Sequence, residues 1–277
     1  MSTRAAIFQT IILLIAAQCA AGQSAPVTGT GQAIDLDAAY QAIHRCRFVD
    51  LTHSFGPPIP HWKGFPEESV KVIYTIPHDG FTTQLFTHVG QWGTHVDPPA
   101  HFHEGLKTVD QIDPREFLLR LVVLDVHTQV ERNPDYVVTM DDVNAWEKRH
   151  GKVPVGAFIA LRTDWSKRWP NPAAMQNRDA MSVTHYPGWS KAVLTYLYEK
   201  RLATATGHET TDTDPGIPAS KDDSSLESYV LGTNHFQIEL LANLDQVPEA
   251  GSLIMISFPK PDKGTGFPAR AVAIVPN

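Results

Sequence analysis

Gln91-Trp92-Gly93-Thr94-His95-Val96-Asp97-Pro98-Pro99-Ala100-His101-Phe102-His103 is the most informative segment of this 277-residue chain. Side chains two residues apart leave an extended strand on the same face, so His95 and Asp97 are predicted to point the same way. Pro98 and Pro99 donate no backbone hydrogen bond and fix their own φ angles, and the chain is therefore expected to turn there. Such a turn brings His101 back toward the same place. The segment thus predicts a cluster of imidazole and carboxylate groups where an extended stretch ends.

This mixture of groups is typical of a catalytic metal site. Imidazole nitrogens and carboxylate oxygens suit zinc, manganese or iron, and the lack of a nearby cysteine argues against a structural thiolate site. A site of this kind keeps a position for water, whose pKa falls to about 7 on a metal. The segment therefore predicts metal-assisted hydrolysis. For His88 or His103 taken alone, an ordinary polar role is the better interpretation.

The segment Gly93-Thr94-His95-x-Asp97-x-Pro99-x-His101 resembles the signature of the cyclase family of metal-dependent hydrolases. This family includes the bacterial kynurenine formamidases (arylformamidases) and the isatin hydrolases, and its pattern is His-x-Gly-Thr-His-x-Asp-x-Pro-x-His. Other segments resemble further family blocks in the same order, so the resemblance covers most of the mature chain. They are residues 50–53, 60–62, 211–215, 239–244 and 264–270.

The resemblance also implies roles for individual residues. His95, Asp97 and Glu239 match family metal ligands, and His101 matches a residue that transfers protons. Two positions depart from the family: Gln91 replaces the first histidine of the signature, and Glu227 replaces a histidine ligand of the two-metal enzymes. Oxygen ligands at both positions still suit a divalent metal. The expected cofactor is zinc or manganese, with one or two ions per subunit held by a set drawn from Gln91, His95, Asp97, Glu227 and Glu239.

The pattern of strands and helices predicts one α/β domain over residues 35–277. Strands are expected at 48–52, 71–76, 82–89, 118–126, 157–162, 203–206, 253–257 and 271–275, and helices at 35–47, 140–150 and 190–201. The resemblance implies a central β-barrel-like mixed sheet with peripheral helices, of the swivelling β/β/α type. It also implies a homodimer.

The N-terminal residues have the pattern of a secretory signal. Arg4 forms a small basic region, an apolar run follows, and Cys19-Ala20-Ala21-Gly22 offers a cleavage site, which predicts a signal peptide over 1–22 and export. The run is too short and too interrupted for a stable membrane anchor. Residues 23–34 are expected to be a flexible linker. Cys46 is then the only cysteine of the mature chain, so no internal disulfide is expected.

Composition favours a small-molecule substrate. The net charge of −7, with mixed signs and no basic run, argues against a nucleic-acid partner.

Trp62 and Trp92 are the best candidates for an aromatic wall that binds a planar substrate. His208 and the carboxylates after it are predicted either to support the metal ligands or to form a turn, and Gln237 shares the face of Glu239 if that stretch is extended.

Together these features predict a metal-dependent amide hydrolase. The leading substrate within the family is an N-formyl aryl amide such as N-formylkynurenine, as in tryptophan catabolism, and the main rival is a cyclic amide such as isatin. Two other classes stay open: a metal-dependent cyclase or lyase, and an exported metal-binding protein without catalytic activity.

Overall fold

The computed structural model describes residues 34–277, and a nine-stranded mixed sheet runs through this part of the chain. Its strands are β1 (Arg47–Asp50), β4 (His95–Asp97), β5 (Leu118–Asp125), β6 (Phe158–Arg162), β7 (Ala205–His208), β8 (Phe236–Glu239), β9 (Ser252–Ser257), β10 (Phe267–Pro268) and β11 (Arg270–Val275). They lie in the order β1-β11-β9-β5-β6-β7-β8-β4-β10. A separate hairpin consists of β2 (Ser69–Tyr74) and β3 (Thr83–Thr87).

The centre of the large sheet is parallel. Strands β5, β6, β7 and β8 pair parallel to one another, and the other neighbours in the sheet are antiparallel. β5 and β6 carry nearly continuous runs of buried apolar side chains, at 121–124 and 158–161. Such runs are typical of strands covered on both faces. The sequence therefore places its most apolar strands in the middle of the sheet.

The sheet curls so that segments beyond distant strands meet. Thr52, just after β1, forms an isolated antiparallel bridge with Leu241, just after β8. The backbone N–H of Ala242 also donates to the carbonyl of Leu51 over 2.9 Å. These contacts join segments that follow the first and seventh strands in sheet order. The predicted α/β domain with a curled, mixed central sheet is confirmed.

Short helices cover the sheet. They are α1 (Leu36–His44), α2 (Ile76–Asp79), α3 (His127–Arg132), α4 (Met140–His150), α5 (Pro172–Gln176), α6 (Lys191–Thr195), α7 (Gly216–Ala219) and α8 (Ser225–Gly232). One apolar core includes Trp146, Leu194 and Val230 from α4, α6 and α8. A second core includes Val96 and Ile254 from the sheet. The mixed sheet thus separates two buried layers.

The β2–β3 hairpin is unusually apolar for its exposure. Every residue of β2 is exposed, and β3 is exposed except at Thr83. The large apolar side chains exposed on the hairpin and its turn are Val70, Val72, Ile73, Tyr74, Ile76, Phe81, Leu85 and Phe86. An isolated two-stranded ribbon is marginally stable in water. Within the described residues this hairpin forms the largest run of exposed apolar side chains.

Most predicted elements are present, with shifted ends. The helix expected at 35–47 is α1, where Asp35 accepts a hydrogen bond from the N–H of Ala38 as N-cap. The helix expected at 190–201 is α6 followed by a π-helical turn, Tyr196–Lys200. The sequence pattern missed β8 and β10 and the short helices α2, α3, α5, α7 and α8. The predicted signal peptide, and all but the last residue of the predicted linker, lie outside the described residues. No helix within residues 34–277 has the length and hydropathy needed to span a membrane.

Candidate metal centre and active site

Two paired strands place four polar side chains on one face. β4 runs antiparallel to β8, with His95 opposite Glu239 and Asp97 opposite Gln237. Alternate residues of a strand share a face, and residues directly opposite across a strand pair have Cβ atoms roughly 5 Å apart. The His95 Nε2 atom consequently lies 3.3 Å from Asp97 Oδ2 and 3.6 Å from Glu239 Oε2. The cluster thus results from two features: His95 and Asp97 are two residues apart on β4, and the register of the sheet sets Glu239 opposite His95.

Two further groups approach from outside the strands. The short 3-10 turn Pro99–His101 carries His101 back, with its Nε2 4.0 Å from Asp97 Oδ1. Glu227 lies in the first turn of α8, and its Oε1 is 3.9 Å from the same nitrogen. Asp214 holds the start of α8 by accepting the N–H groups of Leu226 and Glu227. The proline turn and this capped helix thus bring His101 and Glu227 together.

The ligand atoms form two groups that share Asp97. One is His95, Asp97 and Glu239, and the other is Asp97, His101 and Glu227; within each, one atom per residue lies within 4.8 Å of the others. Four of the five residues that the sequence predicts as metal ligands lie in these groups, together with the predicted proton-transfer residue. The fifth, Gln91, lies beside them, with its amide nitrogen 3.2 Å from Asp97 Oδ1. Their roles as ligands stay predictions.

The donor chemistry of the first group fits a divalent metal. His95 Nδ1 donates a hydrogen bond to the carbonyl of Gly93 over 2.8 Å, so Nε2 is the ring nitrogen that faces the carboxylates. His95, Asp97 and Glu239 are almost fully buried, and a buried cluster of carboxylates is costly without a compensating cation. The residues present thus match the nitrogen and oxygen set of a zinc or manganese site.

The pKa values of the buried carboxyl groups show that their negative charges repel one another. Burial raises the pKa of Glu239, and Glu227 and Asp97 raise it further by repulsion. Burial likewise raises the pKa of Glu227, with added repulsion from Asp97. Burial also opposes ionisation of Asp97, but the charge and hydrogen bond of His95 outweigh it and lower the pKa to about 2. Asp97 is the carboxylate of this cluster that stays ionised most readily.

Gln237 lies at the centre of the carboxylates. Its amide nitrogen is 3.1 Å from Glu239 Oε1, 3.3 Å from Glu227 Oε1 and 3.5 Å from Asp97 Oδ2. The hydroxyl of Thr213 donates to its carbonyl oxygen over 2.6 Å and so fixes which end of the amide faces the cluster. Gln237 therefore contacts both ligand groups. The sequence placed it on the face of Glu239 but could not show the contact with Glu227.

His208 supports Glu239 from β7. The indole N–H of Trp189 donates to His208 Nδ1 over 3.3 Å, so the proton of the neutral ring lies on Nε2, which is 3.2 Å from Glu239 Oε1. Burial lowers the pKa of His208 to about 3, which keeps the ring neutral. The structure shows both roles considered for this segment: His208 supports Glu239, and the hydroxyls of Thr210 and Thr211 form a turn by donating to the carbonyl and the carboxylate of Asp212.

The orientation of Gln91 differs from that of a metal ligand. Its amide nitrogen donates to the carbonyl of Thr265 over 2.8 Å and to Asp97 Oδ1 over 3.2 Å. Both partners only accept protons here, so the amide turns its nitrogen, and not its carbonyl oxygen, toward the cluster. The same nitrogen lies 3.4 Å from His101 Nδ1. The expectation that Gln91 supplies an oxygen ligand is therefore not met by this geometry, because the neighbouring acceptors dictate the opposite orientation.

A cavity of about 430 Å³ opens over the cluster. Trp62 is 48% exposed and lines the cavity with Phe65 and Phe102. Trp92 does not line it. It is fully buried and packs beneath His61, with ring centroids 4.8 Å apart. Trp62 thus lies in the wall of the cavity, and its role in substrate binding stays a prediction. The prediction for Trp92 is wrong, because its side chain points into the core.

Comparisons with known proteins agree with this geometry. The family model Cyclase, described as "Putative cyclase", matches residues 49–215. An isatin hydrolase from Roseibium aggregatum is 31% identical over 242 residues, which cover 82% of this chain and 91% of the relative.

Solved structures show the same likeness. Isatin hydrolase A from Ralstonia solanacearum superposes with a TM-score of 0.80 at 31% identity, covering 89% of this chain and 99% of the other. An isatin hydrolase bound to the product analogue thioisatinate superposes with a TM-score of 0.81 at 27% identity, covering 88% of this chain and 100% of the other.

Proposed function

Because the chain belongs to the cyclase family, we propose that it is a metal-dependent hydrolase that cleaves an amide bond attached to an aromatic ring. A cyclic amide of the isatin type is the first candidate substrate. The observation that carries the proposal is the convergence of His95, Asp97 and Glu239 with His101 on the floor of one aromatic-lined cavity. The similarity to isatin hydrolases over most of the chain favours the cyclic amide.

His95, Asp97 and Glu239 would hold the metal, and Glu227 would hold a second ion with Asp97. A bound metal supplies a Lewis acid that polarises a carbonyl and lowers the pKa of water. Gln237 donates to both carboxylate groups and keeps them oriented. His208 does the same for Glu239. The fixed hydrogen bonds around the ligands reduce the reorganisation that binding an ion requires.

His101 is the group placed to move protons. Its side chain is partly exposed to the cavity, and its Nε2 lies near both Asp97 and Glu227. In the overall reaction a water adds across the C–N bond: its hydroxyl goes to the carbonyl carbon and its proton to the nitrogen. A cyclic amide then yields a carboxylate and a free aryl amine in one molecule. His101 accepts a proton from the attacking water and returns it to the departing nitrogen.

An N-formyl aryl amide is the second candidate. The structural observation that favours it is the width of the site, because a further cavity adjoins the first and shares part of its lining. A substrate longer than a bicyclic lactam has room there. Parallel assays with isatin and with an N-formyl arylamine decide between the two, since each reaction has its own product.

The cyclase or lyase alternative is separated by product analysis. Hydrolysis in ¹⁸O-labelled water places one labelled oxygen in the product acid, whereas elimination or cyclisation does not. A protein that binds metal but turns over neither amide class would support the non-catalytic alternative.

We also propose a homodimer in which the β2–β3 hairpin is covered by a second copy of the chain. The exposed apolar side chains lie on both faces of this ribbon, including the cross-strand pair of Val70 and Phe86. Phe86 also lines an open groove with Phe55 and Phe258, so the ribbon adjoins a concave surface. Each copy would offer the same ribbon and the same groove, which is the arrangement that a twofold interface requires.

A further inference from the structure

Helix α8 carries Glu227, and contacts from other parts of the chain hold this helix in place. It has eight residues, Ser225–Gly232, and a helix this short has little stability of its own. The side chain of Ser224, at the N-cap position, forms no capping hydrogen bond. Asp214, from the loop after β7, accepts the N–H groups of Leu226 and Glu227 instead, over 3.0 and 3.1 Å. The position of Glu227 thus depends on contacts from outside the helix.

A second contact with α8 comes from His103, two residues after His101 on the chain. The Nε2 atom of His103 lies 2.8 Å from the carbonyl oxygen of Ser228 and 3.2 Å from its hydroxyl oxygen. A carbonyl oxygen only accepts, so Nε2 carries the hydrogen and donates the bond. His103 is partly buried and is not among the residues that line the active-site cavity. Its imidazole therefore binds the helix and does not face the substrate.

Gly232 makes the close approach of this imidazole possible. A Cβ atom added at Gly232 would lie 2.8 Å from His103 Nε2 and 3.1 Å from its Cε1. Both distances are shorter than an ordinary van der Waals contact, so a larger residue would push the imidazole away from Ser228. Alanine favours a helix more than glycine does. The glycine at the end of α8 therefore provides the space that His103 needs.

The two histidines contact neighbouring residues of α8. His101 Nε2 lies 3.9 Å from Glu227 Oε1, and His103 binds Ser228, the next residue. Fixing Ser228 therefore also fixes Glu227 opposite His101. Asp97 and Glu227 are buried carboxylates within one group of possible ligand atoms, and like charges repel each other at this range. The hydrogen bond from His103 opposes the outward displacement of α8 that this repulsion favours.

We propose that His103 is a positioning residue for a second metal ion: by binding Ser228 it holds Glu227 within reach of Asp97 and His101. The inference rests on the proposed metal-dependent hydrolase and concerns the same site. His103 belongs to neither group of ligand atoms. The ligand group on β4 and β8 does not involve α8, so the effect of His103 falls on the second ion alone.

Metal titration of the full chain tests this role. Metal-free protein is titrated with Mn²⁺ in a calorimeter as wild type, His103→Ala and His103→Gln. We expect the wild type to bind two ions. His103→Ala should bind the first ion equally well and the second roughly 10 to 100-fold more weakly, as when other partners of metal ligands are lost. The glutamine amide keeps a donor that reaches Ser228, so His103→Gln should recover most of the affinity. His44→Ala, at an exposed position of α1, is the control and should bind both ions as the wild type does.

Gly232→Ala distinguishes positioning of the ion from general support of the helix. The substitution favours helix formation, yet its methyl group displaces the His103 ring. We therefore expect it to weaken the second ion, whereas a role of His103 limited to helix stability predicts no loss. Gly56→Ala is the control, because nothing lies within 4 Å of the added Cβ atom there. Hydrogen exchange of the metal-free protein adds a readout without metal: the amides of α8 should exchange faster in His103→Ala than in the wild type.

None of these measurements needs turnover, which separates this inference from the proposed function. If no amide is hydrolysed but His103→Ala weakens the second ion, the positioning role stands. A wild type that binds a single ion overturns the inference. So does a His103→Ala variant that binds two ions with wild-type affinity and shows unchanged exchange in α8.

Discussion

His95 and Glu239 face each other across the antiparallel pair of β4 and β8, with His95 Nε2 3.6 Å from Glu239 Oε2. This relationship joins two segments 144 residues apart into one set of ligand atoms. It also means that strands of the central sheet hold His95, Asp97 and Glu239, which favours precise ligand geometry in this group.

His101 should be dispensable for metal binding and necessary for rate. We expect His101→Ala to lower kcat by ~10² to ~10⁴-fold, the usual contribution of general acid-base catalysis, while the ion held by His95, Asp97 and Glu239 stays bound. The measurement is steady-state kinetics beside elemental analysis. Full activity in His101→Ala would show that another group moves the proton.

Gln91 should donate a hydrogen bond to the metal ligand Asp97 without binding the metal itself. Its amide nitrogen contacts Asp97, so Gln91→Ala removes a partner of a ligand but no ligand atom. Losses of such partners weaken metal affinity by roughly 10 to 100-fold. Competition with a metal chelator measures the affinity, with Gln111→Ala as a glutamine control on a turn away from the cluster. Complete loss of metal from Gln91→Ala would make it a ligand after all.

Glu147 should be a major stabilising carboxylate outside the site. It is buried and accepts hydrogen bonds from Lys152, Arg201 and Tyr196. Burial raises its pKa, but these partners outweigh burial and lower it to about 2. We expect Glu147→Ala to reduce the free energy of unfolding by about 3 kcal/mol near neutral pH, because it leaves the cationic partners unpaired.

The pH dependence of this effect has a definite sign. A depressed carboxyl pKa stabilises the folded state fully above the unfolded value, near 4.5, and the contribution is lost as the pH falls toward about 2. The difference between wild type and Glu147→Ala in urea unfolding should therefore narrow on acidification below about pH 4.5. Exposed Glu131, changed to Ala, is the control and should show no such difference. A difference that widens in acid would refute the assignment.

The β2–β3 hairpin should control assembly. We expect Val70→Lys with Phe86→Lys to convert a dimer into a monomer, because two charges would be buried in an apolar contact. Light scattering coupled to size exclusion gives the mass. Val155→Lys, an equally apolar-to-charged change at an exposed loop position, should leave the mass unchanged. A monomeric wild type would contradict the proposed homodimer.

Some of this site follows from the sequence and some does not. Strand periodicity predicts that His95 and Asp97 share a face. The prolines between Asp97 and His101 predict the turn that brings His101 back toward the same face. Glu239 came from the family resemblance, since no local pattern reveals which strand will pair with β4. The orientation of the Gln91 amide depends on Thr265, which is distant in sequence, and could not be predicted.

The side of the sheet that an aromatic residue occupies was equally hard to predict. Trp62 and Trp92 both lie near ligand segments, yet one lines the cavity and the other is enclosed in the core. The cavity that adjoins the active-site cavity is lined by four separate segments, so no single motif predicts it. Local spacing predicts groups on one element, whereas the packing of separate loops decides which groups meet.

The most direct test of the central claim is the metal content of purified wild type and Asp97→Ala, measured beside hydrolysis of isatin and an N-formyl arylamine. Asp97 belongs to both ligand groups, so its removal should disrupt both. We predict bound manganese or zinc and amide hydrolysis in the wild type, and loss of both in Asp97→Ala. A wild type that hydrolyses these amides without metal, or an Asp97→Ala variant that keeps metal and activity, would contradict the account.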